Sequence, residues 1–93
     1  MEGANWTFLT NYGHVLLAIA EQPDARLRDI AERVEITERA VQRIVHELQN
    51  EGYIEAERVG RRNHYRVHPE RPLRHPMERD RTVGSLLDML RHD

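Results

Sequence analysis

The stretch Thr37 to Asn50, TERAVQRIVHELQN, concentrates the hydrogen-bonding chemistry of this chain. Wound as a helix, it puts Val41, Ile44, Val45 and Leu48 on one face, the i, i+3, i+4, i+7 stripe of a buried side. A step of roughly 100° per residue sets Arg39, Arg43, His46 and Asn50 opposite, with Gln42 on the flank. Solvated helix faces usually mix lysine and glutamate. This one offers forked donors and acceptors, the groups that read phosphates and base edges. Arg39 and Gln42, nearer the N-terminus, suit base edges, arginine to guanine and glutamine to adenine; Arg43 and His46 suit phosphates. Thr37 is placed to cap the first turn, Glu38 follows it, and Gly52 lies just past the end, so the sequence marks both limits of the helix.

A second cluster lies downstream. From Arg58 to His68 the chain has four arginines (Arg58, Arg61, Arg62 and Arg66), two histidines and no acid. The formal net charge is only −2. Taken alone, that sum argues against a nucleic-acid partner, but it hides this local concentration. All 14 basic residues are arginine, so every cation can make bidentate bonds to phosphate or guanine.

Other chemistry has no foothold. The absence of cysteine removes disulfides, thiolate nucleophiles and thiolate metal sites. No glycine-rich phosphate loop, nucleophile elbow or paired catalytic carboxylates occur, so an enzyme is not expected. His64 and His68 share a strand face but stand about 13 Å apart when extended, too far for one ion, and neither a metal nor another cofactor is expected. No run approaches the roughly 20 apolar residues of a membrane span, and the first residues lack the pattern of a signal peptide. The expected location is therefore intracellular, in the cytoplasm.

The elements that must position these groups follow from periodicity. Ninety-three residues, 39% hydrophobic and 32% charged, suit one soluble domain with a small core. Tyr12, Val15, Leu16 and Ile19 predict a first helix over 10–21, ended by the Pro23-Asp24 turn signal. Ala25 to Leu27 reads as a short extended segment. Leu27, Ile30, Ala31 and Val34 predict a second helix over 28–34. Only Glu35, Ile36 and Thr37 separate it from the opening stretch, with Ile36 placed as a hydrophobic staple. Two short amphipathic helices joined by such a turn form a helix-turn-helix, whose second helix fits a major groove. After Gly52 the period changes to that of strands. Residues 53–59 and 64–68 read as a hairpin around the turn Gly60-Arg61-Arg62-Asn63, with Tyr65 and Val67 facing the helices. Pro69, Pro72 and Pro76 make residues 69–77 an extended connector leading away from the hairpin. Val83, Leu86, Leu87 and Leu90 predict a last helix over 78–91, which Gly84 weakens slightly.

Residues 10–68 resemble the winged helix-turn-helix domain of small bacterial and archaeal regulators of the MarR and ArsR kind. IAERVEIT resembles the second helix and turn, TERAVQRIVHELQNEGYI the recognition helix leading into the wing, and RVGRRNHYRV the wing itself. The resemblance implies a mainly α fold, a three-helix core plus a two-stranded wing, here with an added C-terminal helix. It further implies a transcriptional regulator that binds duplex DNA as a homodimer, with the recognition helix in the major groove and the wing on phosphates or the minor groove. DNA contacts are then expected from Thr37, Glu38, Arg39, Gln42, Arg43 and His46 and from Arg58, Arg61, Arg62, Asn63, His64 and Arg66. Dimerisation falls to the short N-terminal segment with Trp6 and Phe8 and to the stripe Val83, Leu86, Leu87 and Leu90, which could instead fold back on its own core. The rival reading is a winged helix used for protein–protein interaction without DNA, since the fold alone does not fix the function.

Overall fold

The apolar stripes converge on one core. The computed structural model describes residues 5–91 and contains α1 (Asn11–Glu21), α2 (Leu27–Val34), α3 (Glu38–Asn50), β1 (Ile54–Val59), β2 (Arg62–Val67) and α4 (Val83–Leu90). Val15, Leu16, Ala18 and Ile19 of α1 meet Ile30 and Ala31 of α2 and Val41, Ile44, Val45 and Leu48 of α3. Tyr53, Ile54 and Tyr65 close the core from the hairpin side, and Val83 and Leu87 from α4. No polar or charged residue is buried among the described residues, so apolar packing carries the stability.

The helix-turn-helix joint depends on backbone closures. Ala31 O accepts from Glu35 N at 2.8 Å and from Ile36 N at 3.1 Å, and Glu35 sits in the left-handed region at φ 67°. Thr37 Oγ1 then accepts from Ala40 N at 3.0 Å, the side-chain cap read from the sequence. At the far end of α3, Tyr53 N donates to Leu48 O at 2.9 Å and Gly52 N to Gln49 O at 3.1 Å. With Gly52 at φ 84°, this is a Schellman closure. It turns the chain straight into the hairpin.

The structure corrects three boundaries. The hairpin turn contains two residues rather than four: Val59 pairs with Arg62, and only Gly60-Arg61 lies between them. Gly60 at φ 64°, with no positive φ at Arg61, is the arrangement of a type II′ turn, which matches strand twist. Arg62 and Asn63 are therefore strand residues. The extended segment expected at Ala25 to Leu27 is shorter: Arg26 is extended but Leu27 already begins α2, and the backbone bond from Tyr65 N to Pro23 O, 3.0 Å, ties the preceding turn to β2. The last helix begins at Val83 rather than residue 78, because Thr82 Oγ1 caps it by accepting from Ser85 N at 3.2 Å.

The proline-rich connector does not lead away. Leu73 N bonds Arg81 O and Val83 N bonds Arg71 O, both at 2.9 Å, with Pro72 and Thr82 paired as an antiparallel bridge. The segment doubles back and lays α4 against α1. Gly84 permits this rather than merely weakening the helix. Its N–H donates to Pro69 O at 3.0 Å, and a Cβ there would lie 2.8 Å from Pro69 Cβ. Two members of the expected dimer stripe, Val83 and Leu87, are thereby used within the chain's own core. Leu86 and Leu90 stay partly exposed beside Met89, which is 73% exposed.

Tyr12 departs from the stripe in which periodicity placed it. It is 37% exposed, and its hydroxyl donates to a Glu47 carboxylate oxygen on α3. The neighbouring carboxylate pushes the Tyr12 phenol up, chiefly through that bond.

Candidate nucleic-acid interface

The outward face of α3 carries Glu38, Arg39, Gln42, Arg43, His46 and Asn50, all exposed. The Thr37 cap and the Schellman closure fix the length of this helix, and its buried side holds the rotation. Among the described residues, the side chains of Arg39, Gln42, Arg43 and His46 make no hydrogen bond or ion pair within the chain. Arg33 by contrast bonds Glu21 at the end of α1, and Arg74 lies near Glu51. The donors on α3 are thus uncommitted, and they project on one side of a rigid element. Glu38 opens the helix and complements its dipole, while placing one negative charge at the leading edge of the face. Thr37 Oγ1 is taken as an acceptor by the cap, which leaves its proton free to donate.

The hairpin is less uniformly basic than its sequence. Arg58 to His68 contains no acid, yet pairing sets Arg66 across from Glu55, and the two bond at 2.7 Å. His68 Nε2 lies 2.9 Å from the other oxygen of Glu55. These two partners hold the Glu55 carboxyl below the usual carboxylate range, the Arg66 bond first. His64 Nδ1 lies 2.6 Å from Asp24 Oδ1 in the turn between α1 and α2, with Glu57 its cross-strand neighbour. Asn63 Nδ2 reaches the Tyr65 hydroxyl at 3.5 Å. The uncommitted cations of the wing are therefore Arg61 and Arg62, together with Arg58, whose Nε bonds only the turn carbonyl of Gly60 at 3.3 Å. All three cluster at the tip. The sequence shows Glu55 and Glu57 on the first strand, but which cation each acid meets is set by the strand register, and Asp24 lies 40 positions from His64.

Trp6 and Phe8 pack edge to face, with ring centroids 5.1 Å apart, outside the core. They are 69% and 93% exposed, so the chain's own core absorbs neither. No group of three or more His, Asp or Glu residues at metal-binding spacing occurs among the described residues, and no helix is long and apolar enough to cross a membrane.

The family model for the MarR family matches residues 8–62, from Phe8, just before α1, through the first residue of β2. The chain belongs to the MarR family. Solved structures agree on the fold. Lactococcus lactis ZitR in complex with DNA superposes with a TM-score of 0.57 at 22% identity, over 71% of this chain and 47% of ZitR. A cysteine-to-serine mutant of ZitR gives a TM-score of 0.55 at 26% identity, over 73% and 50%. ZitR is a zinc-responsive MarR family member. The present chain spans about half the length of ZitR. No curated protein sequence matches it significantly. The four helices and two-stranded antiparallel hairpin thus form the winged helix of MarR proteins, as the sequence resemblance implied.

Proposed function

We propose that this MarR-family chain is a transcriptional regulator that binds duplex DNA sequence-specifically as a homodimer. The observation that carries this reading is the uncommitted face of α3. Arg39, Gln42, Arg43 and His46 have no partner among the described residues, and the free arginines of the wing tip follow on the next element. The similarity to ZitR, a MarR protein solved on DNA, supports the same partner. In this reading α3 enters the major groove, Arg39 and Gln42 meet base edges, and Arg43 and His46 meet phosphates. Arg58, Arg61 and Arg62 track the backbone or the minor groove, with Asn63, His64 and Arg66 as flanking members whose side chains already hold internal partners.

One recognition helix rarely supplies enough specificity, and two-fold dimers reading paired half-sites are the common solution. The exposed pair Trp6–Phe8 and the open side of α4, formed by Leu86, Met89 and Leu90, are the apolar surface available for a second copy. In this reading the chain acts in the cytoplasm and without catalysis. A gel shift on duplex fragments at low salt, with heparin as competitor, tests the reading. A shift that survives heparin supports it, whereas no shift at any protein concentration favours a protein-interaction module.

A further inference from the structure

We propose that a second anion site, off the recognition helix, lies in the corner between the wing and the start of α2, where it binds a phosphate oxyanion. A cleft of about 370 Å³ opens there, lined by Arg26, Arg61, Arg62, Asn63, Tyr65 and Asp24. Its walls come from separate parts of the fold. Two contacts hold them together: Tyr65 N donates to Pro23 O at 3.0 Å, and His64 Nδ1 lies 2.6 Å from Asp24 Oδ1. This fastening draws the wing arginines toward Arg26, which is 35 positions before Arg61 in the chain.

The charge balance of the cleft favours an anion. Arg26, Arg61 and Arg62 have no acid within ion-pair distance among the described residues. The one carboxylate in the lining, Asp24, has an oxygen already engaged by His64. Arg26 and Leu27, the cap and first residue of α2, both line the cleft, and no side chain accepts from the first turn, whose one acid is Asp29. Asn63 adds an amide donor at the rim. Three guanidiniums suit a tetrahedral oxyanion, which they grip through paired N–H bonds. Arginine on an exposed hairpin alone would be ordinary surface charge; here a separate element contributes the third cation to an open cleft.

The source of the phosphate rests on the DNA-binding reading. The site holds a backbone phosphate flanking the groove that α3 enters and makes Arg26 a DNA contact. The same chemistry would also accept a free phosphate or pyrophosphate. Arg26→Gln is compared with wild-type protein and with Arg33→Gln, an equal loss of charge at the opposite end of the same helix. Each is titrated against a specific and a scrambled duplex between 50 and 200 mM salt, after its melting temperature is matched to wild type. Arg26→Gln should weaken binding on the order of tenfold on both duplexes and lower the log–log salt slope by about 0.9 per bound protomer. Arg33→Gln should keep the wild-type slope. An unchanged slope in Arg26→Gln, or an equal loss in both variants, overturns the site. Wild-type protein that binds no duplex refutes the DNA reading separately, and inorganic pyrophosphate then decides the cleft. A rise in melting temperature that Arg26→Gln abolishes supports a free-phosphate site, and no rise overturns it.

Discussion

The Tyr12 hydroxyl, near the start of α1, donates to the Glu47 carboxylate on α3, joining the first helix to the helix that carries the candidate readout. Glu47 is the residue after His46, so the contact sits on the flank of the reading face. It constrains the rotation of α3 without occupying any of the free donors. The phenol is raised above its ordinary value, and the sign of its pH effect follows. A group whose folded pKa exceeds its unfolded value gives stability that is fully present below the unfolded value, near 10 for tyrosine, and lost as pH rises through the folded value. Melting curves of wild type and Tyr12→Phe should differ at neutral pH and converge above about pH 10. A constant gap across that range would show that the contact contributes nothing through ionisation.

The wing's arginines should not be equivalent. Arg61 is free at the tip, whereas Arg66 is shared with Glu55. Arg61→Gln should therefore reduce DNA affinity and salt slope more than Arg66→Gln does. If each protomer of a dimer neutralises three or four phosphates, wild-type affinity should fall roughly 10³-fold or more between 50 and 200 mM salt. Fluorescence anisotropy at several salt concentrations measures both quantities. Equal effects of the two variants would mean that Arg66 leaves Glu55 on binding.

Gly84 offers a test in which packing and helix propensity predict opposite signs. Propensity alone favours alanine over glycine inside a helix by about 1 kcal/mol. A Cβ at this position would lie 2.8 Å from Pro69 Cβ and 2.9 Å from Pro69 O, and one of these neighbours is backbone. Gly84→Ala should destabilise the fold by about 1–3 kcal/mol, read from urea unfolding at constant m-value. A gain in stability would show that α4 is not pressed against Pro69.

These cases also show what was legible in the sequence. The first three helices, the Thr37 cap, the Gly52 exit and the basic hairpin could be read from local chemistry, because each depends on residues a few positions apart; the start of α4 could not. The rest depended on contacts between distant segments. Periodicity gave α1 a stripe including Tyr12, but only the packed position of α3 shows that a carboxylate, not the core, awaits that ring. Glycine at 84 weakens a helix by propensity, and only the distant Pro69 packed against it gives the residue its use. The three prolines implied an extended path, yet the amides of Leu73 and Val83, which are free to donate, closed it into a return. For the site, the free donors on α3 were visible as residue types, whereas the pairing of His64 with Asp24 and of Arg66 with Glu55 was not.

Dimerisation should map to a smaller surface than the full C-terminal stripe. Val83 and Leu87 are buried in the protomer, so charge there should unfold the chain. Leu86 and Leu90 are partly exposed, and Leu86→Arg should leave the fold intact while separating the copies. Sedimentation at tens of micromolar should show a dimer for wild type and a folded monomer for Leu86→Arg. A monomeric wild type would contradict the two-fold reading.

The most direct test of DNA readout by α3 is selection of bound duplexes from a random pool, using wild-type protein and Arg39→Ala in parallel. Wild type should enrich an inverted repeat whose half-site centres lie about 10–10.5 base pairs, or a multiple, apart. Arg39→Ala should lose preference at one position in each half-site, at a cost of roughly 1–3 kcal/mol there, with the spacing retained. A wild-type pool with no enriched sequence, or identical preferences for the two proteins at every position, would contradict readout by Arg39 from α3.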